Sequence, residues 1–180
     1  VIELAKLQDQ VAPFPFAEVQ QTIEQELGKP LDQLFKSFSP DPVASASLSQ
    51  VHRATTLAGD DVAVKVQRPQ VKQIMEKDLS ILRDLAVLLD RYIPEVRQFS
   101  PVAIVDEVAK SAKQEVDFLY EARNLEIFAQ NFADDDRIFL PRIFWDHTSL
   151  RVLTLSFIDG IKISDVARLR EAGVDLAVVT

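Results

Sequence analysis

Residues 48–67 read LSQVHRATTLAGDDVAVKVQ, and this stretch decides the fold of the chain. Valine and threonine are frequent in residues 48–57 and 61–67, and the AGD between them is typical of a turn, so we predict a β-hairpin. In the second segment three valines share one face of the strand, and Lys65 lies on the opposite face. The alternation therefore predicts valines that pack into a core and a lysine that points away from it.

The rest of the chain predicts an α+β fold with an antiparallel sheet, because groups of strands and groups of helices follow one another. Amphipathic spacing, with proline and glycine as stops, predicts helices over residues 16–27, 70–92 and 100–132, and a capped helix that begins near Ser164. Apolar segments predict further strands over residues 34–38, 138–144 and 151–157. We expect Ser100 to cap the third helix, and the apolar face of this helix, which includes Val108 and Phe128, to pack on the sheet.

The composition excludes several classes of function. Among 180 residues, 28 acidic and 20 basic ones give a formal net charge of -8 without a basic cluster, which argues against binding to nucleic acid. The chain has no cysteine for a disulfide, a catalytic thiolate or a zinc site, and His52 and His147 lack a second ligand at metal spacing. The longest apolar runs are far shorter than the roughly 20 residues that span a bilayer.

Lys65 is the first candidate for chemistry. A lysine on a strand beside a small residue such as Ala63 can direct its ammonium group at phosphate oxygens, but a lysine that only faces solvent has the same motif VAVK. A lysine with this role needs a carboxylate partner, and the stretch EVDFLYEAR contains Glu115, Asp117 and Glu121.

These acidic residues also allow two interpretations. On a continuous helix Asp117 and Glu121 share one face and repel each other, which favours a cation nearby. Alternatively, Lys113 and Arg123 neutralise the acids on a solvated surface, and the spacing alone does not decide between these alternatives.

The loop before the lysine contains no glycine. Residues 43–50 read VASASLSQ, whereas a phosphate-binding loop normally uses glycine because positive φ values let successive amides point at the ligand. The small side chains still allow a close approach of the backbone, and Ser45, Ser47 and Ser49 carry hydroxyl groups that can donate hydrogen bonds. On its own this loop is a weak indication, because small-residue loops between strands are common.

In this order and spacing, the motifs ASLSQVHRA, VAVKVQRP and EVDFLYEA resemble the UbiB family of atypical protein-kinase-like proteins, also called the AarF or ADCK group. The resemblance covers essentially the whole chain and implies the N-terminal lobe of a kinase-like fold that binds ATP with Mg²⁺. It implies that the phosphates are covered by an alanine-rich loop in place of a glycine-rich one, formed here by Ala44, Ser45, Ala46 and Ser47. Ser45 stands where the family usually has alanine, and Ser49 stands where it usually has glycine.

The same resemblance implies a role for each candidate residue. Lys65 would neutralise the α- and β-phosphates, and Glu121 would hold Lys65. Glu115 and Asp117 would form the ExD motif, which in relatives meets a KxGQ motif that occludes the site for a protein substrate. The residues implied to line the adenine pocket or to form the hinge beside it are Val51, Ala63, Phe157 and Asp159.

The resemblance further divides this single lobe into consecutive parts. These are a helical extension (1–33), strands with the loop and the lysine (34–69), two long helices (70–133), strands with the hinge (134–160), and the start of a second lobe (161–180). We expect a fragment, because the KxGQ motif, the catalytic-loop Asp and Asn and the metal-binding DFG motif would all fall outside it. The Mg²⁺ ligands would then also lie outside this chain, and the fragment alone should be inactive.

The leading hypothesis is the ATP-binding lobe of a UbiB-like atypical kinase or ATPase linked to isoprenoid quinone biosynthesis, cytoplasmic and peripheral to the inner membrane. The alternative is a catalytically inactive, kinase-shaped scaffold that binds membrane lipid or quinone-pathway enzymes. A kinase that acts on ordinary protein substrates is less favoured, because the ExD and KxGQ pair would close that site. The sequence indicates no oligomeric state.

Overall fold

An antiparallel sheet forms the centre of the computed structural model, which describes residues 11–163 and 165–175. Its strands are β1 (Phe35–Phe38), β2 (Ala44–Ser45), β3 (Ser49–Thr56), β4 (Asp61–Gln67) and β5 (Val152–Ser156). The order across the sheet is β1-β3-β4-β5, and β2 pairs with the first half of β3 while β1 pairs with its second half. The predicted hairpin is confirmed as β3 and β4, in which Val51 lies opposite Lys65 and Arg53 lies opposite Ala63.

Helices flank this sheet and complete the predicted α+β fold. They are α1 (Phe16–Leu27), α2 (Leu31–Leu34), α3 (Val71–Tyr92), α4 (Pro94–Arg97), α5 (Pro101–Glu115), α6 (Phe118–Asn131) and α7 (Val166–Glu171), and a 3₁₀ turn covers Trp145–His147. The prediction for α1 is confirmed at its end, where Gly28 adopts the left-handed conformation at φ 68° and donates its amide to the Glu24 carbonyl. The helix predicted over residues 70–92 is confirmed as α3.

The main core lies between α1 and one face of the sheet. Val62, Val64 and Val66 of β4 are fully buried there and belong to one apolar cluster with Val19 and Ile23 of α1. Burial of an aliphatic side chain of this size stabilises the fold by roughly 1.5–3 kcal/mol. The predicted alternation is therefore confirmed: the valines form the core, and the lysine between them lies on the other face.

The third predicted helix is not continuous, which corrects the prediction of one helix over residues 100–132. The chain breaks between α5 and α6, where the carboxylate of Asp117 accepts hydrogen bonds from two amides of the first turn of α6, at 2.9 and 3.2 Å. The side-chain amide of Gln67 donates to the Val116 carbonyl at 2.8 Å and ties the break to the end of β4. An N-cap residue cannot at the same time continue a helix, so Asp117 ends the periodicity there.

The break also corrects the predicted packing of this region. The helix α5 packs on α3 and not on the sheet, and Val108 and Phe128 are 49% and 55% exposed. Of these two helices, α6 is the one that packs on the sheet, where Phe118 and Ala122 contact Leu153. Ser100 precedes α5 as predicted, but its side chain makes no capping hydrogen bond.

The strand predicted over residues 138–144 is reduced to a single bridge between Ile143 and Leu155 of β5, because Pro141 offers no amide to a ladder. The strand predicted over residues 151–157 is confirmed as β5. The last helix is capped by Asp165, which accepts from the Arg168 amide at 3.2 Å. The predicted cap near Ser164 lies outside the described residues, as do the ends of the chain at 1–10 and 176–180.

No helix in the described part of the chain is both long enough and apolar enough to cross a membrane.

Candidate functional site

The site is built around Lys65, which β4 places on the face of the sheet opposite the valine core. Its Nζ donates to both carboxylate oxygens of Glu121 on α6, at 2.6 and 2.8 Å, and lies 4.7 Å from the ring centroid of Phe118. The two charged side chains are 29% and 43% exposed, so the pair contributes at most about 1 kcal/mol to stability. Its main consequence is geometric, because it fixes the direction of the ammonium group.

The helix α6 carries Glu121 to the lysine because its apolar side docks on the same face of the sheet. Phe118 and Ala122 are 1% and 0% exposed, and they pack on Leu153, which lies beside Lys65 in the register of β4 and β5. Residues 118 and 122 flank Glu121 along the helix, so the position of the carboxylate follows from the packing of its neighbours.

A cavity of about 530 Å³ opens beside this ion pair. It is lined by Lys65, Ser111, Gln114, Glu115, Tyr120, Glu121 and Asn124. Its volume lies within the usual range of small-molecule sites, and its lining offers an ammonium group, hydroxyl groups and side-chain amides as donors. Sequence reasoning missed Ser111, Gln114, Tyr120 and Asn124, because their spacing indicates a common cavity only after the helix break is known.

The acidic residues of this region take different positions. Glu115 lines the cavity, whereas the carboxylate of Asp117 is occupied at the start of α6. The prediction that Asp117 and Glu121 share one face of a continuous helix is therefore wrong. Glu121 pairs with the lysine of β4 and not with Lys113 or Arg123, which had been the alternative.

Residues 44–47 form one side of a short hairpin and differ in this from a glycine-rich phosphate-binding loop. Ala44 and Ser45 form β2 and pair with β3, and the amide of Ala46 donates to the Ser49 carbonyl at 2.8 Å. None of these loop residues has a positive φ. The absence of glycine is thus matched by a backbone that requires no positive φ, in which Ala44 and Ser45 are extended and residues 47 and 48 form a bend.

Sequence reasoning missed Arg68, which binds this loop from the end of β4. Its Nε donates to the Ala46 carbonyl at 2.8 Å, and its Nη2 donates to Ser45 Oγ at 2.9 Å and to the Ala12 carbonyl at 2.8 Å. The guanidinium also lies 5.3 Å from the ring centroid of Phe14. The only signal in the sequence is its place in VAVKVQRP, directly after the lysine strand.

The residues expected around adenine lie on the lysine face but do not line the cavity beside the ion pair. Val51 and Ala63 are partly exposed on neighbouring strands, and Asp159 is exposed beyond β5. The amide of Phe157 donates to the Asp61 carbonyl at 3.0 Å, so it is occupied within the sheet. The assignment of Phe157 and Asp159 to a hinge beside adenine stays a prediction.

A second arginine that the sequence did not indicate covers the ring of Phe157. The guanidinium of Arg53 lies 4.3 Å from the ring centroid of Phe157 and forms an ion pair with Asp61 at 2.5 Å. Hydrogen bonding to Arg53 holds the pKa of the Asp61 carboxyl below its usual value. Arg53 and Asp61 thus connect the hairpin to the segment that follows β5.

His52 lies on the opposite, buried face and has a structural role. It is 0% exposed between the rings of Phe16 and Phe38, and its Nδ1 donates to the Ser39 carbonyl at 2.9 Å. Burial lowers the pKa of His52. Across the described residues, no three His, Asp or Glu side chains lie close enough to hold a metal ion.

Comparison with known proteins adds the family. The model of the ABC1 atypical kinase-like domain matches residues 6–180. The chain belongs to the ABC1 atypical kinase-like family. This result confirms the resemblance to the UbiB group, since the ABC1 relatives include a protein named probable protein kinase UbiB of Marinobacter nauticus, 41% identical over 98% of this chain.

Other ABC1 relatives are plant and cyanobacterial proteins. The protein named ACTIVITY OF BC1 COMPLEX KINASE 1, chloroplastic, of Arabidopsis thaliana is 42% identical over 97% of this chain, and an uncharacterized protein of Synechocystis sp. is 42% identical over the same share. The chain spans only 30%, 26% and 32% of the Synechocystis, Arabidopsis and Marinobacter proteins, respectively.

A solved structure agrees with this assignment. The complex of Rv3197 with erythromycin from Mycobacterium tuberculosis superposes with a TM-score of 0.77 at 29% identity and covers 93% of this chain and 40% of that one. The ABC1 chain described here therefore has the mixed helix and antiparallel-sheet fold of a kinase-like N-terminal lobe.

Proposed function

We propose that this chain is the ATP-binding lobe of a UbiB-like atypical kinase or ATPase. The observation that carries the proposal is the Lys65–Glu121 pair at the mouth of a polar cavity. A carboxylate that holds a lysine against a sheet gives its ammonium group one direction, so that less side-chain freedom is lost when an anion binds. In this role Lys65 neutralises the α- and β-phosphates, and Glu121 positions it.

The other residues fit a nucleotide in the same orientation. The loop over residues 44–47 lies beside the end of β4 and would cover the phosphates, and Val51 and Ala63 leave an open apolar patch for a flat base. Bound Mg²⁺ would neutralise the charge that develops on the phosphates. From the resemblance to the UbiB group we expect the ligands for Mg²⁺ to lie outside this chain.

We further propose that the protein acts in isoprenoid quinone biosynthesis at a membrane surface, as a peripheral protein. The support is the family, including the relative named probable protein kinase UbiB.

The test is a Lys65→Met substitution in the intact protein. Unsubstituted protein should gain about 2.7 kcal/mol of stability from ATP with Mg²⁺ at 100 times Kd, which thermal denaturation detects as a rise in Tm. Lys65→Met should abolish this rise, because the phosphates lose their cation. Glu121→Gln should reduce the rise without abolishing it, because Lys65 remains but is no longer held.

Lys36→Met is the matched control, since Lys36 is exposed on β1 and lies away from the cavity. It should show the same ATP-induced rise as the unsubstituted protein. An equal rise in Lys65→Met would contradict the assignment of Lys65 as the phosphate lysine.

The scaffold without catalytic activity remains the second candidate, because one observation favours it. A row of apolar residues on one face of α3 is about half exposed or more, and it consists of Ile74, Ile81, Leu85, Leu88 and Tyr92. A scaffold would use such a face for lipid or a quinone-pathway enzyme. Hydrolysis of ATP by the intact protein, lost in Lys65→Met, would decide for the enzyme; binding of ATP without turnover would decide for the scaffold.

A further inference from the structure

Arg68 connects three segments that are distant in sequence. Its guanidinium binds Ser45 and Ala46 in the loop and, on its other side, the carbonyl of Ala12 and the ring of Phe14 in the segment before α1. Its own amide donates to the Leu48 carbonyl at 2.9 Å, which anchors the side chain next to the base of the loop. We propose that Arg68 is a positioning residue that holds the small-residue loop over the phosphates of the nucleotide.

The loop needs such a support because its own backbone bonds are few. The pairing of β2 with β3 covers only two residues, and Ala46 and Ser47 at the tip are exposed. A loop of this kind has no glycine cradle to enclose an anion, so its position over the phosphates has to be set from outside. The bond from Arg68 to the Ala46 carbonyl supplies this constraint at the tip itself.

The same contact assigns a role to Ser45. Its hydroxyl oxygen accepts a hydrogen bond from Arg68, so the side chain is directed at the protein and not at the space over the loop. The serine at this position therefore strengthens the attachment of the loop.

The positive charge of Arg68 also favours phosphate binding beside the loop. Among the residues that the structure describes, its hydrogen-bond partners are two carbonyl oxygens and one hydroxyl group, and none of these carries a negative charge. A guanidinium with neutral partners keeps its full attraction for a nearby anion, whereas one paired with a carboxylate loses most of it.

The segment before α1 is itself held by the sheet, so Arg68 links the loop to a fixed part of the backbone. Gln50 on β3 accepts a hydrogen bond from the Phe14 amide and donates to the Phe14 carbonyl at 3.3 Å. The loop is thus attached through Arg68 to a backbone that the sheet already holds.

This inference rests on the proposed function, and the experiment separates the two. The dissociation constants of ATP with Mg²⁺ and of adenosine are measured in the intact protein for Arg68→Met, Lys65→Met and the unsubstituted protein. Arg68→Met should weaken ATP about tenfold, which corresponds to about 1.4 kcal/mol, and change adenosine less than about twofold, because only the phosphates lie under the loop. Arg83→Met is the matched control, since Arg83 forms an exposed ion pair with Asp106 on α5, and it should bind both ligands normally.

Hydrogen exchange of residues 43–49 gives a readout that needs no nucleotide. Amide exchange in this loop should become faster in Arg68→Met, and to a smaller degree in Ser45→Ala, while exchange in β4 stays unchanged. Ser45→Ala should weaken ATP about threefold, because one of the two bonds from Arg68 to the loop remains. If Arg68→Met does not fold, the Ser45→Ala variant is used to test the role of Arg68 instead.

Each contrary result has a distinct meaning. If Lys65→Met loses ATP while Arg68→Met binds it like the unsubstituted protein, the role of Arg68 is refuted and the proposed function stands. Equal weakening of ATP and adenosine, or unchanged exchange of the loop, also refutes the positioning role. If the unsubstituted protein binds no ATP, the proposed function and this inference fail together.

Discussion

Lys65 and His52 lie on adjacent strands, and the sheet gives them opposite environments. Lys65 lies at the edge of a polar cavity and pairs with Glu121 from α6. His52 is enclosed by aromatic rings, with Nε2 3.3 Å from the side-chain nitrogen of Gln50 and Nδ1 bound to a carbonyl. Since Nδ1 donates, Nε2 of the neutral ring accepts from Gln50, and a second proton on the ring would remove that bond.

This environment of His52 predicts a pH dependence of stability. Burial lowers the pKa of His52 in the folded chain, so at acidic pH the unfolded chain binds more protons than the folded one. The contribution of His52 should be complete above the ordinary histidine pKa of about 6.5 and should be lost progressively as the pH falls through that value. Urea denaturation at several pH values between 5 and 8 measures the effect.

His52→Gln provides the comparison, because glutamine keeps a polar side chain that does not titrate. Its free energy of unfolding should fall less steeply between pH 7 and pH 5 than that of the unsubstituted chain. Identical slopes would show that the histidine does not contribute.

At the scale of elements, the break between α5 and α6 determines the site. The helix α5 follows α3, while α6 turns onto the sheet and brings Glu121 to the lysine. A continuous helix over this stretch could not pack on both partners. Asp117, the Val116 carbonyl and Gln67 fix the break at the end of β4.

Loss of the Asp117 cap should destabilise the start of α6 and with it the folded chain. Asp117→Ala removes the acceptor for two amides of α6 and should lower the free energy of unfolding by about 1 kcal/mol. Asp117→Asn should retain most of the stability, because asparagine is an equally good N-cap residue. Chemical denaturation measures both, with the exposed Asp134 changed to alanine as control. A loss in Asp117→Asn as large as in Asp117→Ala would indicate that the charge matters and not the cap.

At the scale of the molecule, the two faces of the sheet have different roles: one forms the hydrophobic core and the other carries the candidate site. One face packs on α1 and holds the largest apolar cluster, and the other carries Lys65, Glu121 and the cavity. A change in the core should therefore affect folding more than nucleotide binding.

Ile23→Ala tests this separation, because Ile23 is fully buried on α1. The free energy of unfolding should fall by about 2–5 kcal/mol, the usual result for such a truncation in a core. At a temperature where the protein is still folded, the Kd of ATP should change less than about twofold. A large change in ATP affinity would show that the two faces of the sheet are coupled.

The hairpin and the faces of its residues could be predicted from the sequence, because alternation in β4 and the turn residues before it are local properties. The end of α1 at Gly28 is local for the same reason. The break at Asp117 could not be predicted from periodicity, because Asp117 fits a continuous helix until its carboxylate is seen to bind the amides that follow it.

The candidate site, too, could be predicted only in part from the sequence. Residue type, order and spacing were sufficient to select Lys65, Glu121 and the glycine-free loop as candidates. Only the tertiary structure decided that Glu121 pairs with Lys65 and not with a neighbouring cation on its own helix, that Asp117 is occupied as a cap, and that Arg68 holds Ser45 and Ala46. For the ion pair and for Arg68 the physical reason is distance along the chain, because contacts between residues 22 to 56 positions apart depend on how the sheet and helices pack, and no local pattern encodes them.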